Sequence, residues 1–241
     1  MRYALISDIH SNLEALNAVL DALLKERIDQ YICLGDIVGY AADPNECTEI
    51  IRQVAETTVL GNHDSAAVDR TSIEGFNALA RTAISWTADT LSSKNKKYLE
   101  SLDTNMVFEG DLVVHSSPSD PTSWRYIFSV DDAKMEFQHF TGRACFVGHS
   151  HQPVAFVNSK NRVVMDTRTS LDIEDENRYI INVGSVGQPR DLDPRASYAV
   201  YDTDQKTVEI KRTEYDVEVV RTKIVKAGLP RFLGDRLLAG R

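Results

Sequence analysis

The stretch "RYALISDIHSNLE" (2–14) combines a strand, two polar residues and the start of a helix. The apolar run "RYALIS" (2–7) predicts a buried strand. The segment "SNLE" (11–14) is a capping-box pattern and predicts an amphipathic helix that reaches about Glu26. Asp8 and His10 lie between the two elements. Because residues two apart in an extended chain point the same way, we expect both side chains to face one target.

The next segments repeat this arrangement. A second strand is predicted at "QYICLG" (30–35) and a third at "TTVLG" (57–61). Between them, "DPNE" (43–46) predicts a helix with Pro44 at its first position. Strands that alternate with helices indicate βαβ units and a parallel sheet.

The rest of the chain is richer in strands. Residues 65–103 are predicted to be mostly helical, and 105–117 to form a strand pair around the turn "EGD". Further predicted elements are a helix from Ser129 to about Phe140, strands at 144–148 and 153–158, and a final helix at 216–227. The remaining predicted strands are "RVVMDT", "RYIINVGS", "SYAVYDT" and "TVEIKRTEY". This order predicts an α/β protein with two sheets and helices outside them, in a single domain of residues 1–241. The helices of 65–103 are either a cap or a crossover.

Composition narrows the possible partners. Of the 241 residues, 42% are hydrophobic and 26% are charged, as in ordinary globular proteins. The formal net charge of -9 makes long nucleic acid and anionic membrane poor partners. No apolar run approaches the ~20 residues of a membrane span, and the amino terminus lacks the apolar segment of a signal peptide.

The cysteines indicate a cellular location. There are three, an odd number without a CxxC pair: Cys33, Cys47 and Cys145. This pattern predicts a reducing cytoplasm and argues against a disulfide framework or a cysteine metal site.

Five of the six histidines follow predicted strands, each in a block that contains other oxygen or nitrogen ligands. In open α/β sheets, ligands bind at the carboxyl ends of the strands. Glycines precede Asp36, Asn62 and His149, which lets the backbone turn sharply there. The blocks are "SDIHSN", "LGDIVGY", "LGNHDSA", "DLVVHSS" and "FVGHSHQPVAF".

Each block alone has an ordinary explanation. The D-x-H pair could be coincidence, the H-x-H pair could be exposed without a role, and "GNHD" could be a turn with an Asx cap. His115 could be a strand-end histidine that bonds with backbone. Together, however, the five blocks favour a metal site.

Carboxylate, amide and imidazole ligands without thiolate suit manganese, iron, cobalt, nickel or zinc. There are too many ligands for one open catalytic ion, whereas two ions that share a bridging carboxylate would use them all.

In this order, the blocks D-x-H, G-D, G-N-H-D, H and G-H-x-H resemble the calcineurin-like metallophosphoesterase superfamily. The later segment "NVGSVGQPRD" (182–191) and the tail "GLPRFLGDRLLAGR" also look like small bacterial members. The resemblance therefore covers nearly the whole chain. It implies a four-layer α-β-β-α sandwich of two mixed sheets.

The resemblance also assigns roles to the residues. It implies two divalent transition-metal ions, with manganese expected and iron, nickel, cobalt or zinc as alternatives, and attack on phosphorus by a metal-bridging hydroxide. It implies that Asp8, His10 and His151 hold one ion, that Asn62, His115 and His149 hold the other, and that Asp36 bridges them.

The remaining expected site residues act on protons and phosphate. His63 resembles the family's non-ligand histidine, which would donate a proton to the leaving oxygen; such acid catalysis is typically worth about 10²–10⁴-fold. Asp64 would orient His63, or would instead cap a helix. Arg190 and Arg125 are candidate phosphate contacts, with simple solvent exposure as the alternative and the favoured one for Arg125.

Three aromatic residues could stack on a base or pack in the core: Tyr40, Trp124 and Tyr126. Two departures from the pattern of related phosphatases also bear on function. Protein phosphatases and dinucleoside tetraphosphatases carry an arginine shortly after the G-D block, and "GDIVGYAADP" (35–44) has none. They also tend to have Glu where this chain has Asp64.

We therefore expect a cytoplasmic, dinuclear metal-dependent phosphodiesterase that acts on a small or nucleotide-like phosphorylated substrate. The alternatives are a phosphomonoesterase or protein phosphatase, a dinucleoside polyphosphate hydrolase, and a non-catalytic binding scaffold. A scaffold would be expected to lose ligands or the acid histidine, and this chain retains all of them. The sequence indicates neither the native metal nor an oligomeric state.

Overall fold

The computed structural model describes residues 1–241, and its twelve strands form two six-stranded sheets. The strands are β1 (Arg2–Ile6), β2 (Gln30–Cys33), β3 (Thr57–Thr58), β4 (Asn105–Phe108), β5 (Asp111–Val114), β6 (Ala144–Val147), β7 (Val154–Ser159), β8 (Arg162–Asp166), β9 (Ser170–Asp172), β10 (Arg178–Asn182), β11 (Ala196–Asp202) and β12 (Thr207–Thr213).

The strand order is β3-β2-β1-β11-β12-β9 in the first sheet and β4-β5-β6-β10-β7-β8 in the second. Both sheets are mixed. β1 is parallel to β2 and antiparallel to β11, while β10 is parallel to β6 and antiparallel to β7.

Helices lie outside both sheets and also connect them. They are α1 (Leu13–Leu23), α2 (Pro44–Val54), α3 (Asn62–Ala67), α4 (Ala78–Thr90), α5 (Ser93–Glu100), α6 (Val130–Glu136), α7 (Val217–Lys226) and α8 (Phe232–Asp235). The longest is α4 with 13 residues, and none of the helices combines the length and apolar character needed to cross a membrane.

Alternation along the buried strands produces the layers. In β1, Ala4 and Ile6 join a core with α1, whereas Tyr3 and Leu5 join the core between the two sheets. This is expected because successive side chains of a strand point to opposite faces. The first sheet is therefore covered by helices on one face and by the second sheet on the other.

The second sheet follows the same rule. In β6, Ala144 and Phe146 face the core between the sheets, and Cys145 and Val147 face a third core that includes Phe137 of the α6 end. The layers of the protein are therefore helices, first sheet, second sheet and helix, with a core between each pair of layers. This confirms the predicted sandwich of two mixed sheets flanked by helices.

Several element bounds differ from the predictions. The N-cap of α1 is Asn12, whose Oδ1 accepts a hydrogen bond from Ala15 N at 3.1 Å, and not Ser11 of the expected capping box. Ser11 has a φ of 57°, and its Oγ instead accepts a hydrogen bond from Gly39 N at 3.1 Å. The helix ends at Leu23, short of the expected Glu26.

Two short elements were not predicted at all. The strand β9 has three residues and one apolar side chain, Leu171, too short a pattern to predict a strand, and is formed by antiparallel pairing with β12. The helix α8 is a single turn near the carboxyl terminus. Both depend on tertiary contacts that local sequence patterns do not record.

Residues 65–103 connect β3 of the first sheet to β4 of the second. Within this segment, Ala80 and Ala83 of α4 pack in one cluster with Tyr40 and with Val220 of α7. The segment therefore lies against the loop after β2, close to the polar residues that follow the strands.

Candidate metal centre

The seven residues expected to bind metal come together at one edge of the sheets. Each follows the carboxyl end of β1, β2, β3, β5 or β6, and none is more than 6% exposed. We call this set the candidate metal centre: Asp8, His10, Asp36, Asn62, His115, His149 and His151.

One group of ligating atoms consists of Asp8, His10 and His151. Asp8 Oδ1 lies 3.2 Å from His151 Nε2 and 3.7 Å from His10 Nε2. The two imidazole nitrogens are 3.1 Å apart. These are the separations of atoms that could ligate one ion, since metal–nitrogen bonds are roughly 2.0–2.1 Å long.

A second group consists of Asp36, His115 and His149, with Asn62 beside it. Asn62 Oδ1 lies 3.2 Å from His115 Nε2. Asp36 Oδ2 lies 3.3 Å from His115 Nε2 and 3.6 Å from His10 Nε2. A single carboxylate oxygen therefore lies between the two groups.

Backbone amides fix both carboxylates. Asp8 Oδ2 accepts a hydrogen bond from His149 N at 2.9 Å, and Asp36 Oδ1 accepts one from His63 N at 2.8 Å. In each case the second oxygen points toward the histidines. Asp8 Oδ1 is buried without a hydrogen-bond partner, which is costly unless a cation or proton satisfies it.

Backbone carbonyls orient all four histidines. A neutral imidazole that donates from one nitrogen offers a lone pair at the other. Three rings donate from Nδ1 and leave Nε2 facing the centre, while His149 donates from Nε2 and leaves Nδ1 free. The acceptors are the carbonyl of Val38 for His10 (3.1 Å), of Leu34 for His115 (2.7 Å), of Gln188 for His151 (2.5 Å) and of Trp124 for His149 (2.8 Å).

This arrangement fits a divalent cation. With both Nδ1 atoms engaged, the Nε2 lone pairs of His10 and His151 face each other at 3.1 Å, an arrangement that repels unless positive charge lies between or beside them. Backbone carbonyls commonly hold the histidine ligands of protein metal sites in this way.

At His115 the electrostatics also favour positive charge, whereas burial lowers the pKa of the other histidines of the centre. Burial opposes protonation of His115, yet the carboxylate of Asp36 raises its pKa to about 9. Burial likewise favours the neutral form of Asp36, but His115 and His63 hold its pKa well below the ordinary value. The centre therefore keeps Asp36 ionised and stabilises positive charge beside it.

Five residues of the candidate metal centre have left-handed backbone conformations. This corrects the extended geometry expected for the D-x-H pair, although the side chains still converge. For residues other than glycine such conformations cost on the order of 1 kcal/mol each and cluster at functional sites. The φ angles are 53° at Asp8, 52° at His10, 52° at Asp36, 67° at His149 and 60° at His151.

Two glycines permit the close approach of these segments. A Cβ on Gly61 would overlap Asp36 Oδ1, and one on Gly148 would lie 2.5 Å from Asp8 Oδ2. Any larger residue at either position would push a carboxylate out of place. The predicted need for glycine before Asn62 and His149 thus has a steric reason.

His63 is buried beside the centre. Its ring packs edge-on against His10 with centroids 4.8 Å apart, and one ring nitrogen lies within 4.8 Å of ligating atoms of His10 and Asp36. Burial lowers the pKa of His63 to about 4. Its Nδ1 has no hydrogen-bond partner, so no structural hydrogen bond occupies that nitrogen.

Asp64 bonds with backbone and not with the ring of His63. Its Oδ1 accepts a hydrogen bond from Val38 N at 3.0 Å, and its Oδ2 accepts one from Gly61 N at 3.2 Å. Gly61 is the N-cap residue of α3, so these contacts match the helix-capping alternative. Burial, reinforced by the charge of Asp36, raises the pKa of Asp64 to about 7.

The two candidate arginines differ in position. The guanidinium of Arg190 donates to Gln188 Oε1 at 2.7 Å and lies 5.7 Å from the ring centroid of Tyr40. Since the carbonyl of Gln188 accepts from His151, Arg190 is anchored next to the centre. Arg125 is exposed, makes no hydrogen bond or ion pair and does not line the cleft, although its neighbours Trp124 and Tyr126 do.

Sequence reasoning missed the residues that support the ligands from the end of β10 and the segment that follows it. Gln188 orients His151 and Arg190, and Ser185 Oγ donates to the carbonyl of Asp8 at 2.8 Å. Asn182 Nδ2 donates to Ser150 Oγ at 3.0 Å, between the two ligand histidines. The available signal was the spacing of polar residues three positions apart, at Asn182, Ser185 and Gln188, in the strand-end segment "NVGSVGQPRD".

A cleft with a volume of about 370 Å³ opens beside the centre. Its floor includes Tyr40, Asn62, His63 and His149. One wall comes from residues between Thr71 and Ala80, in the connection from α3 to α4. The other wall comes from Ser123, Trp124 and Tyr126, in the segment that precedes α6.

Comparison with known proteins defines the family. The sequence model of the calcineurin-like phosphoesterase superfamily domain matches residues 1–206. The chain is 43% identical over 244 aligned residues to an uncharacterized protein of Methanocaldococcus jannaschii, covering 99% of this chain and 98% of that protein. The chain therefore belongs to the calcineurin-like phosphoesterase superfamily, as its motifs indicated.

Solved structures agree. A metallophosphoesterase from Sphaerobacter thermophilus superposes with a TM-score of 0.90 at 42% identity, covering 100% of this chain and 99% of that chain. A hypothetical protein from Pyrococcus horikoshii has the same fold, with a TM-score of 0.80 at 19% identity and coverage of 100% and 98%. Family membership indicates a hydrolase of phosphoric esters, and the chain contains Asp and His groups that could hold metal.

Proposed function

We propose that the protein is a dinuclear metal-dependent phosphodiesterase that acts on a small or nucleotide-like substrate. The observation that carries the proposal is the position of Asp36 Oδ2, which lies 3.6 Å from His10 Nε2 and 3.3 Å from His115 Nε2. One carboxylate oxygen shared by two groups of ligands is the arrangement expected of a two-metal site.

In this proposal Asp8, His10 and His151 hold one ion, and Asn62, His115 and His149 hold the other. Manganese is the proposed metal, with iron, nickel, cobalt or zinc as alternatives, because the ligands are oxygen and imidazole nitrogen without thiolate. Bound divalent ions would neutralise phosphate charge and lower the pKa of a coordinated water. The protein fixes the ligands through backbone hydrogen bonds.

We assign proton transfer to the leaving oxygen to His63, which must take up a proton as substrate binds because burial lowers its pKa to about 4. The ring is buried at the floor of the cleft, and its Nδ1 has no competing hydrogen bond. Arg190 is the proposed phosphate contact, because Gln188 holds its guanidinium beside Tyr40. The geometry gives Arg125 and Asp64 no comparable support, since Arg125 is exposed and both oxygens of Asp64 accept from backbone.

The charge of the cleft supports a diester. No Lys, Arg, Asp or Glu lines it. Apart from Arg190 at the edge beside Tyr40, a polyphosphate chain would find no cationic side chain there, which disfavours a dinucleoside polyphosphate hydrolase. A diester carries one negative charge on its phosphate and presents a second organic group that a neutral cleft can receive. A non-catalytic scaffold is disfavoured because every expected ligand is present and close to the others.

A cytoplasmic location is part of the proposal. All three cysteines are buried and free of disulfide bonds, as is common in a reducing compartment.

The proposal can be tested with metal-stripped protein. After Mn²⁺ is added back, hydrolysis of bis(p-nitrophenyl) phosphate is compared with that of p-nitrophenyl phosphate. We expect metal-dependent cleavage with a higher kcat/KM for the diester. A preference for the monoester would instead support the phosphomonoesterase, and absence of turnover with metal bound would overturn the catalytic proposal for these ester classes.

A further inference from the structure

The cleft beside the candidate metal centre has an unusual lining for a phosphate-handling site. Besides the residues of its floor, its walls present aromatic rings and small uncharged polar groups, and no charged side chain. The phosphate itself would bind at the metal centre. The cleft therefore suits the organic part of the substrate, not a second phosphate.

Each wall contributes an aromatic residue that contacts a residue of the floor. Phe76 packs edge-on against His63, with ring centroids 5.2 Å apart and an interplanar angle of 88°. On the other wall, the carbonyl of Trp124 accepts the 2.8 Å hydrogen bond from His149 Nε2. The position of both walls is thus tied to residues next to the proposed reaction.

Tyr126 is less suited to hold a ligand. It stacks on His149 with centroids 4.0 Å apart and also on Phe128 at 4.9 Å, so the ring is already engaged in two stacks. Phe76 and Trp124 make no such parallel stack. They are the two wall residues whose rings remain available to a planar group.

The size and the polar groups of the cleft narrow the ligand further. A volume of about 370 Å³ is at the lower end of the range for small-molecule sites, which suits one nucleoside or aryl group and not a protein loop. Asn77 uses Oδ1 to cap α4, accepting from Ala80 N at 3.0 Å, which leaves its amide nitrogen free to donate. Ser123 and Ser72 add hydroxyl groups to the same lining.

We infer that this cleft binds an aromatic or nucleobase-bearing ester group of the substrate, and that Phe76 and Trp124 determine this specificity. The inference rests on the proposed phosphodiesterase function and names its substrate class. It predicts that kcat/KM depends on the organic group that stays bonded to phosphorus, independently of the leaving group.

Two diesters with the same leaving group test this directly: thymidine 5′-(p-nitrophenyl phosphate) and methyl p-nitrophenyl phosphate. With Mn²⁺ present, we expect kcat/KM to be higher for the thymidine ester by about 10-fold or more, the order expected when one base stacks on an aromatic side chain. Trp124→Ala should reduce kcat/KM more for the thymidine ester than for the methyl ester and bring the ratio near one, although its ring also contacts His115 edge-on at 6.2 Å.

Further variants serve as controls. Trp124→Phe should restore most of the preference, because it keeps an aromatic ring, and Phe76→Leu should weaken the preference while filling a similar volume. Phe232→Ala removes an aromatic ring that is 58% exposed and does not line the cleft, and should leave the ratio unchanged.

Failure of the inference can be told from failure of the proposed function. If wild type cleaves both diesters with equal kcat/KM, or if Trp124→Ala lowers both equally, the specificity inference is overturned while the phosphodiesterase activity stands. If neither diester is cleaved, the proposed function fails. A measurement of ligand binding to the cleft then tests the inference.

The binding measurement uses tryptophan fluorescence. The chain has two tryptophans, so Trp86→Phe leaves Trp124 as the sole reporter. Quenching by thymidine 5′-monophosphate but not by methyl phosphate would support an aromatic subsite in the cleft. Equal responses to both ligands, or no response to either, would overturn it.

Discussion

The floor and the walls of the cleft are built in different ways. Residues of the candidate metal centre are at most 6% exposed, and backbone amides and carbonyls hold their side chains. The wall residue Tyr126 is 44% exposed, and Phe76 is held by packing against His63. The residues at the strand ends therefore fix reactivity. The loops that form the walls set specificity, and these loops can vary without disturbing the strand ends.

The largest expected effect is at the centre of the floor. Asp36→Asn removes the charge that the two ligand groups share, so it should release metal and abolish most turnover. The loss should exceed the roughly 10–100-fold typical of residues that only orient a ligand. Metal content by elemental analysis and kcat with bis(p-nitrophenyl) phosphate measure the effect. Near-normal values for both would refute a bridging role for Asp36.

Asp111→Asn is a matched control for that substitution. Asp111 is also a buried carboxylate, 4% exposed, but it accepts hydrogen bonds from Ala144 N and Tyr201 Oη, away from the candidate metal centre. We expect it to change stability while metal content and turnover stay normal. Loss of metal in both variants would mean that Asp36→Asn acts through general unfolding.

The next effect concerns His63, which belongs to the floor but is not proposed as a ligand. His63→Ala should preserve metal content and reduce kcat by about 10²–10⁴-fold for esters with poor leaving groups, which need proton donation. The loss should be smaller for p-nitrophenolate. Because a ring nitrogen of His63 is near His10 and Asp36, loss of metal in this variant would identify it as a ligand.

The same contrast between floor and walls explains what the sequence could predict. The ligands of the floor are chemically distinctive and follow strands whose apolar runs are easy to recognise. Asp8, Asp36 and His115 could therefore be placed at one sheet edge from the amino-acid sequence alone. Buried strands such as β1 and β6 also show in the sequence, because both faces are apolar.

The walls gave a weaker signal: Trp124 and Tyr126 could be named as aromatic candidates, with core packing as the alternative, whereas nothing in the sequence pointed to Phe76. Whether Phe76 or Trp124 faces the cleft depends on how two loops pack onto the floor, which has no sequence period. The left-handed conformation of His149 and the transfer of the helix cap from Ser11 to Asn12 are tertiary effects as well. Local propensity cannot record a backbone conformation that distant contacts impose.

A smaller effect is expected at the edge between floor and wall, where Arg190 lies beside Tyr40. Arg190→Ala should lower kcat/KM by about 10-fold, since one charge-assisted hydrogen bond to phosphate would be lost. Arg125→Ala is the control: the residue is exposed, and its removal should leave kcat/KM unchanged. Equal losses in the two variants would argue for a general charge effect and against a specific contact by Arg190.

The smallest expected effect lies outside both regions, at Lys223 of α7. Its ammonium group pairs with Glu14 at 2.5 Å and Asp43 at 2.9 Å, which joins α7 to the starts of α1 and α2. Lys223→Met should lower the free energy of unfolding in urea by about 1 kcal/mol and leave turnover intact.

The pH dependence of this effect gives the ion pairs a second test. Despite burial, the two carboxylates raise the pKa of Lys223 above 10.5, so its contribution is present at neutral pH and is lost as pH rises through that raised value. The difference between wild type and Lys223→Met should therefore shrink in strongly alkaline buffer. Lys226→Met, on the same helix but exposed and without an ion pair, should change stability little at any pH. A large loss of activity in Lys223→Met would show that the arrangement of the floor residues depends on the ion pairs between the outer helices. That result would contradict the proposal that the strand ends alone fix reactivity.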